Sequence, residues 1–131
     1  MSKECLDKTA EQILITTKAN YLVEQSKTLQ KQFVFSYTIS IQNNSDSAVQ
    51  LLDRHWHIVD DADRVQEVQG VGVVGKQPII EPRETFQYTS GAVLESQAGT
   101  MSGSYRFKHS EHGEFRKDVP AFALVAPKAL H

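Results

Sequence analysis

The residues best suited to bind a metal ion lie in one short segment, from Asp53 to His57. His55 and His57 are two positions apart in a predicted β-strand, so both side chains leave the same face, opposite to Trp56. Asp53 lies on that face as well. Imidazole nitrogens and carboxylate oxygens are ligands that Co²⁺ and Zn²⁺ accept. The three residues are a candidate divalent-cation site, and the alternative is the ordinary polar face of a half-buried strand.

A second candidate is rich in glycine. Gly70, Gly72 and Gly75 have the spacing of the G-x-G-x-x-G dinucleotide fingerprint, and Lys76 follows them. That fingerprint needs a helix whose N-terminus holds the pyrophosphate, and the two prolines that follow Gly75 exclude such a helix. Backbone amides of a glycine loop could still bind an anion, with Lys76 adding a positive charge. The alternative is that the glycines mark bulges or close backbone approach in a twisted strand.

The sequence contains no recognisable arrangement for nucleophilic catalysis. Ser90 lies among hydroxyl side chains, but no histidine and acid stand at a spacing that would activate it. His109 and His112 lie in a predicted hairpin turn. Arg54 is two positions from Trp56, so it lies on the same, core-facing side of the predicted strand. Because a buried arginine needs hydrogen-bonded partners, it either pins two segments together or binds an anion. We expect a protein that is not an enzyme and for which no cofactor is indicated.

Alternating hydrophobicity predicts the strands that position these residues. Apolar side chains occupy every second place from Phe33 to Ile41, and the turn-forming segment 43–47 leads to a second strand. We expect these two strands to pair as an antiparallel hairpin. The apolar phase of the second strand slips, which predicts a β-bulge near Leu51 and Leu52 and directs Trp56 into the core.

Further segments show the same pattern. Residues 13–22, 65–74 and 86–89 are predicted to be extended, and the turn 109–113 joins two strands of a second hairpin. Pro120 confines the start of the last strand to an edge or a bulge. The segment from Gly91 to Gly99 is predicted to be a long loop. No segment has a sustained helical period.

Short strands separated by turn signals predict an all-β fold. Two sheets packed face to face suit the number and length of the strands better than a closed barrel does. We therefore expect an immunoglobulin-like or fibronectin type III-like antiparallel β-sandwich of seven to eight strands.

Length and composition restrict the class of protein. The chain of 131 residues predicts a single domain over residues 1–131, with its core at about 13–127 and flexible ends at 1–12 and 128–131. The 14 Lys and Arg residues against 16 Asp and Glu residues make nucleic acid an unexpected partner. No apolar run approaches the ~20 residues that span a membrane, and no signal peptide is visible, so we expect a cytoplasmic protein without membrane insertion. Cys5 is the only cysteine, which excludes an intrachain disulfide.

Three sequence motifs resemble those of the ApaG family. They are "LLDRHW" at residues 51–56, "GVVGKQP" at 72–78 and "YTSG" at 88–91, and the resemblance extends from about Ile13 to Pro127. It implies a fibronectin type III-like sandwich, an association with cobalt resistance and magnesium efflux, and no established catalytic activity. Arg83 stands where the family usually has glycine after a proline, which argues against a left-handed turn there.

Two functional hypotheses follow. The first is a non-catalytic interaction module that binds an unidentified protein partner through a loop or an edge strand, with a homo-oligomer through an edge strand as one form of it. The second is a small-ligand binder that takes a phosphate or pyrophosphate compound at Gly70 to Lys76 or a divalent cation at His55 and His57.

Overall fold

The computed structural model describes residues 2–127 and consists of eight strands and one short helix. Two turns of 3₁₀-helix, Val23–Gln25 and Thr28–Gln30, lie between the first two strands. The elements are α1 (Ser2–Glu11), β1 (Ile13–Tyr21), β2 (Phe33–Asn43), β3 (Val49–Asp60), β4 (Val65–Val71), β5 (Ile79–Ile80), β6 (Thr85–Leu94), β7 (Ala98–His109) and β8 (Gly113–Val125).

The strands form two antiparallel sheets, which confirms the predicted sandwich. The three-stranded sheet has the order β1-β2-β6, and the five-stranded sheet has the order β4-β3-β7-β8, with β5 also paired to β3. Every second residue of β2 from Phe33 to Asn43 is buried, as the alternation predicts. No helix of the described residues is long and apolar enough to cross a membrane.

The predicted bulge and the direction of Trp56 are confirmed. The pairing of β3 with β7 shifts register between Leu51 and Asp53, and Trp56 is 1% exposed. The residue opposite Trp56 on β7 is Gly103, and a Cβ there would lie 2.8 Å from Cε3 of the indole. Trp56 therefore occupies space that only glycine leaves free.

The environment of Pro120 also agrees with the prediction. It lies in β8, the last strand of its sheet, and the β7–β8 register shifts between Met101 and Gly103, directly opposite it. An edge position and a bulge both tolerate a residue that cannot donate a ladder hydrogen bond.

The predicted hairpin between β2 and β3 is wrong, because the two strands belong to different sheets. Asn43 is fully buried, and its amide donates to the carbonyls of Ser47 and Ile80 at 2.8 and 2.9 Å. Its Oδ1 accepts bonds from the amide and hydroxyl of Ser45. This side chain holds an arch from one sheet to the other, where the sequence predicts a turn within one sheet.

The predicted loop from Gly91 to Gly99 is also wrong. Gly91 belongs to β6 and Gly99 to β7, so only residues 95–97 turn. A Cβ on Gly99 would lie 2.7 Å from the Val59 carbonyl oxygen. This glycine permits close approach within a strand, which the sequence pattern cannot distinguish from a loop signal.

Two further differences concern the backbone. The sequence predicts no helix, yet Ser2–Glu11 forms α1, which packs against β8 with Thr9 buried. Arg83 adopts a left-handed φ of 72° despite its side chain, and its guanidinium donates to the Ser45 carbonyl oxygen at 2.6 Å. The flexibility of the ends stays a prediction, and residues 128–131, including His131, lie outside the described residues.

Candidate functional site

The candidate metal ligands project from the middle of the five-stranded sheet. Asp53, His55 and His57 alternate with inward-facing residues of β3, and His57 pairs directly with Glu67 of β4. Directly paired residues share a face, so the Glu67 carboxylate lies beside both imidazoles. Glu67 is not recognisable as a member of this group from the sequence, because its position depends on the β3–β4 register.

Glu67 bridges the two histidines. Its Oε2 lies 2.5 Å from His55 Nε2, and its Oε1 makes a short hydrogen bond with His57 Nδ1. The hydrogen bond from His57 is the main cause that lowers the pKa of Glu67, and the bond from His55 contributes in the same direction. The three side chains are partly exposed. The arrangement links β3 to β4 by side chains as well as by the backbone.

Asp53 is engaged elsewhere. Its Oδ2 accepts bonds from Arg106 Nε at 2.8 Å and Nη2 at 2.7 Å, and Arg106 Nη1 also contacts Glu114 at 2.5 Å. These bonds raise the pKa of Arg106, the bond to Asp53 most of all. Within residues 2–127, no three His, Cys, Asp or Glu side chains are placed to share a metal ion. Asp53 is therefore bonded to Arg106, while the two histidines on the same face of β3 are bonded to Glu67.

The glycine candidates form the end of β4 and a tight turn. Gly72 and Gly75 have φ values of 65° and 79°, which glycine adopts without steric cost. The Gly72 amide donates to the Leu52 carbonyl at 2.8 Å, and Val73 and Lys76 exchange backbone bonds at 2.8 and 2.9 Å. Three amides of the loop are thus already bound within the protein. The segment after Lys76 leads to β5, and no helix begins at the glycines.

Gly70 differs from the other two glycines. It pairs with Arg54 of β3, and the Arg54 guanidinium lies where a side chain at Gly70 would be. Arg54 Nη1 donates to the Gly72 carbonyl at 2.8 Å and lies 3.4 Å from that of Val71. These contacts fit a structural role for Arg54, in which it pins β3 to the glycine turn, better than a role in anion binding.

A pocket of about 470 Å³ brings together members of both candidate sites. Arg116 is exposed and forms no ion pair with any residue in the described part of the chain. No sequence pattern places this positively charged group at the site, because β8 and β4 lie far apart in the chain. Gly72, Gly75 and Lys76 do not line this pocket. Its lining residues are Asp53, Arg54, His55, Gln69, Gly70, Val71 and Arg116.

The second feature of this sheet is the free edge of β4. Just before and just after β4, the Asp60 amide donates to the Arg64 carbonyl oxygen and the Gly72 amide donates to the Leu52 carbonyl oxygen. Antiparallel strands bond at every second pair, so within β4 the amides and carbonyls of the even-numbered residues face β3. The polar backbone groups of the alternate residues face away from the sheet. Val65 and Val71 are 57% and 73% exposed at the two ends of this edge. The outward-facing residues are Val65, Glu67, Gln69 and Val71.

His109 and His112 lie close together, with ring centroids 4.9 Å apart. His109 is buried, and its Nδ1 accepts bonds from the amides of Glu111 and His112 at 3.0 and 3.2 Å. Burial is the main cause that lowers its pKa, followed by the charge of His112. Two amides of the turn share the one lone pair of Nδ1, so this histidine organises the β7–β8 hairpin.

The fold and the polar sheet define the class of protein as an all-β, fibronectin type III-like sandwich. The chain belongs to the ApaG family: the family described as "ApaG domain" matches residues 23–109. It is 48% identical over 120 residues to Protein ApaG of Thiobacillus denitrificans, covering 92% of this chain and 94% of that one. It is 42% identical to Protein ApaG of Dechloromonas aromatica, covering 95% and 98%.

A solved structure agrees with this assignment. The crystal structure of the putative ApaA protein from Bordetella pertussis is similar with a TM-score of 0.85 and 41% identity. The match covers 89% of this chain and 95% of that chain. The family resemblance noted in the sequence is therefore confirmed.

Proposed function

We propose that this member of the ApaG family is a non-catalytic, cytoplasmic module that binds another protein through the free edge of β4. The observation that carries the proposal is an edge strand of seven residues whose one charged side chain, Glu67, is bonded to His55 and His57 of its own sheet. β4 contains no Lys, Arg or Pro, and its register with β3 has no bulge. Natural edge strands that must stay unpaired commonly carry such features. An extended segment of a partner can therefore add to this sheet by backbone hydrogen bonds.

The other edges are better protected. β8 has Pro120, a bulge and α1 packed against it. β1 carries Lys18 and lies beside β8. On β6, the Val93 carbonyl oxygen already accepts a bond from the Gln66 side chain at 3.0 Å. Among the edge strands of the two sheets, β4 is therefore the one best suited to bind a partner.

The state of the histidines supports a non-catalytic role. His55 and His57 are hydrogen-bonded to one carboxylate, and Nδ1 of His109 accepts two backbone amides. The bonds to Glu67 link β3 to β4, and the bonds to His109 order the β7–β8 turn. A structural role is therefore sufficient to explain where the three imidazoles lie.

The partner would connect this protein to divalent-cation handling. The association of the family with cobalt resistance and magnesium efflux then reflects an indirect effect, exerted through the bound protein. Under this proposal no metal ion needs to bind to the sandwich itself.

The test uses proline at an outward-facing position of β4. The Gln69 amide faces away from β3, so Gln69→Pro removes no bond of the sheet but blocks addition of a strand. Thr89→Pro is the matched control, because Thr89 faces outward on β6. We expect affinity capture from cell extract to retain a partner with the wild type and Thr89→Pro and to lose it with Gln69→Pro. Amide exchange on the captured complex should protect Glu67 and Gln69.

The same variants test the cellular role. A strain that lacks the protein, complemented with each variant, should regain wild-type cobalt tolerance with Thr89→Pro but not with Gln69→Pro. Equal capture and equal tolerance for both proline variants would refute β4 as the functional edge.

The pocket beside Arg116 favours small-ligand binding as a second candidate. The guanidinium of Arg116, which forms no ion pair within residues 2–127, is suited to a phosphate or pyrophosphate group, and Arg54 adds a second positive charge to the lining of the pocket. His55, which also lines the pocket, could bind a divalent cation. An NMR titration with pyrophosphate, Co²⁺ and Mg²⁺ in turn tests it. Saturable shifts at Gly70 and Arg116 that disappear in Arg116→Gln would support an anion site. A response to Co²⁺ that is lost in His55→Ala would support a cation site.

A further inference from the structure

We propose that a second copy of this chain occupies the free edge of β4, with the two β4 strands antiparallel and related by a two-fold axis at Val68. This inference rests on the proposed role of the edge and names a second copy as its occupant in the purified protein, which a different partner would have to displace. It joins the two five-stranded sheets into one continuous sheet across the axis.

The sequence of β4 is self-complementary about Val68. The strand reads Val-Gln-Glu-Val-Gln-Gly-Val, so a partner in the opposite direction brings Val65 against the partner subunit's Val71 and Glu67 against the partner subunit's Gln69. Valine against valine is an apolar pair, and carboxylate against amide can form a hydrogen bond. All four outward-facing residues meet a compatible residue in this register.

The backbone supports the same register. Antiparallel strands exchange two hydrogen bonds only at alternate, narrow pairs. The residues of β4 whose amides and carbonyls face outward are the odd-numbered ones, and the axis at Val68 pairs odd-numbered residues with each other. Glu67 and Gln69 can therefore exchange both of their bonds, whereas at the ends of the strand the Val71 carbonyl oxygen already lies 3.4 Å from Arg54 Nη1.

Neighbouring registers are less favourable. An axis at Glu67 places the two Glu67 carboxylates directly opposite each other, and like charges in that position are destabilising. An axis at Gln69 places the charged Glu67 against the partner subunit's Val71. The side chains therefore select the axis at Val68.

The symmetry limits the assembly to a dimer. A two-fold axis uses the same surface of both copies and closes on itself, so no free β4 edge remains. The paired segment has seven residues, and strand pairing alone buries less area than the 1,200–2,000 Å² typical of stable interfaces. We therefore expect an equilibrium that depends on protein concentration.

The experiment measures self-association of the purified protein by sedimentation equilibrium. Gln69→Lys places a cation opposite the partner subunit's Glu67, and Gln69→Glu places a second carboxylate there. Each substitution acts twice in the symmetric dimer. We expect the dissociation constant to fall about 2- to 30-fold with lysine and to rise by a similar factor with glutamate.

Gln87 provides the matched control. It is an exposed glutamine that faces outward on β6, the edge strand of the opposite sheet. Gln87→Lys and Gln87→Glu change the net charge by the same amounts as the Gln69 variants. They should leave the dissociation constant unchanged if the effect belongs to β4.

A second measurement does not depend on affinity changes. Amide exchange at increasing protein concentration should slow at Glu67 and Gln69 and stay constant at Gln87 and Thr89. Gln69→Pro should remain monomeric and folded. These results would support the dimer.

Three outcomes would overturn the inference. They are a monomer at all concentrations up to about 1 mM, a dimer whose protected amides lie on another strand, or equal effects of the Gln69 and Gln87 variants. Each of these leaves the proposed function standing if the wild type still captures a different protein that Gln69→Pro loses. The reverse result, a β4 dimer without any other partner, would confine the edge to self-association.

Discussion

The guanidinium of Arg54 occupies the space that a side chain at Gly70 would need. A Cβ at Gly70 would lie 2.6 Å from Nη1 and 2.9 Å from Cζ of Arg54. Arg54 reaches across the edge strand in this way to donate to the Gly72 carbonyl. The first glycine of the G-x-G-x-x-G spacing thus serves an arginine of the neighbouring strand, which explains the motif without a nucleotide.

Gly70→Ala should reduce the free energy of unfolding by about 1 kcal/mol, the value of the Arg54 bond to Gly72. The loss is modest because the displaced atoms are the end of a flexible side chain. Gly91→Ala is the control, since its Cβ would lie 3.4 Å from the nearest atom and the lost chain entropy favours alanine. Urea denaturation measures both. If Gly70→Ala costs the same in an Arg54→Met background, the explanation is incorrect.

Gly103→Ala should be far more damaging, with a loss of at least about 3 kcal/mol or failure to fold. The added Cβ would overlap the His55 carbonyl oxygen and press on the Trp56 ring, and neither can move without opening the β3–β7 ladder. The same denaturation assay checks it, with Gly91→Ala again as reference. A loss below 1 kcal/mol would show that the sheet is more adaptable at this point than its geometry indicates.

Two buried tyrosines connect the sheets and make the free energy of unfolding decrease at alkaline pH. The hydroxyls of Tyr88 on β6 and Tyr105 on β7 are hydrogen-bonded to each other, and burial raises the pKa of both. In the unfolded chain tyrosine titrates near pH 10. The stabilising contribution is therefore complete below about pH 10 and is lost as the pH rises above it, by up to about 1.4 kcal/mol per pH unit for each phenol.

Substitution of one tyrosine tests this pair at neutral pH. Tyr88→Phe leaves the Tyr105 hydroxyl buried without this partner and should cost about 1–3 kcal/mol. The double variant with Tyr105→Phe should cost less than the sum of the single changes and should flatten the loss of stability above pH 10. Additive costs in a double-mutant cycle would mean that the two hydroxyls do not interact in solution.

Local pattern predicts those parts of this fold that depend on neighbouring residues. The alternation in β2, the slip of phase near Leu51 and the burial of Trp56 all follow from which side chains prefer the core. The partner of each strand depends on contacts between distant residues. The arch at Asn43 shows the limit, because its polar turn residues would suit a hairpin equally well.

The candidate site also has features that local spacing predicts and features that depend on distant residues. That His55 and His57 share a face follows from their spacing of two. That they share Glu67 depends on the register with β4, and that Asp53 is taken by Arg106 depends on a contact 53 residues away in sequence. The free edge of β4 becomes visible only when the order of strands is known.

His109 should make the protein sensitive to mild acid. Its Nδ1 accepts two amides of the β7–β8 turn, Cys5 Sγ lies 3.8 Å from its Nε2, and burial lowers its pKa. The neutral form is thus favoured in the folded state, while the unfolded chain takes up a proton near pH 6.5. The contribution of His109 is therefore complete above about pH 6.5 and declines as the pH falls below it.

His109→Asn separates this effect from general acid sensitivity. The asparagine Oδ1 can accept the amides of Glu111 and His112 without titrating, so the decline in unfolding free energy between pH 7.5 and pH 5 should become shallower. His112→Asn is the control, because His112 is exposed and its charge lowers the pKa of His109 less than burial does. That control should lessen the decline only slightly. If both substitutions leave the pH profile of wild type intact, the acid sensitivity originates in other groups.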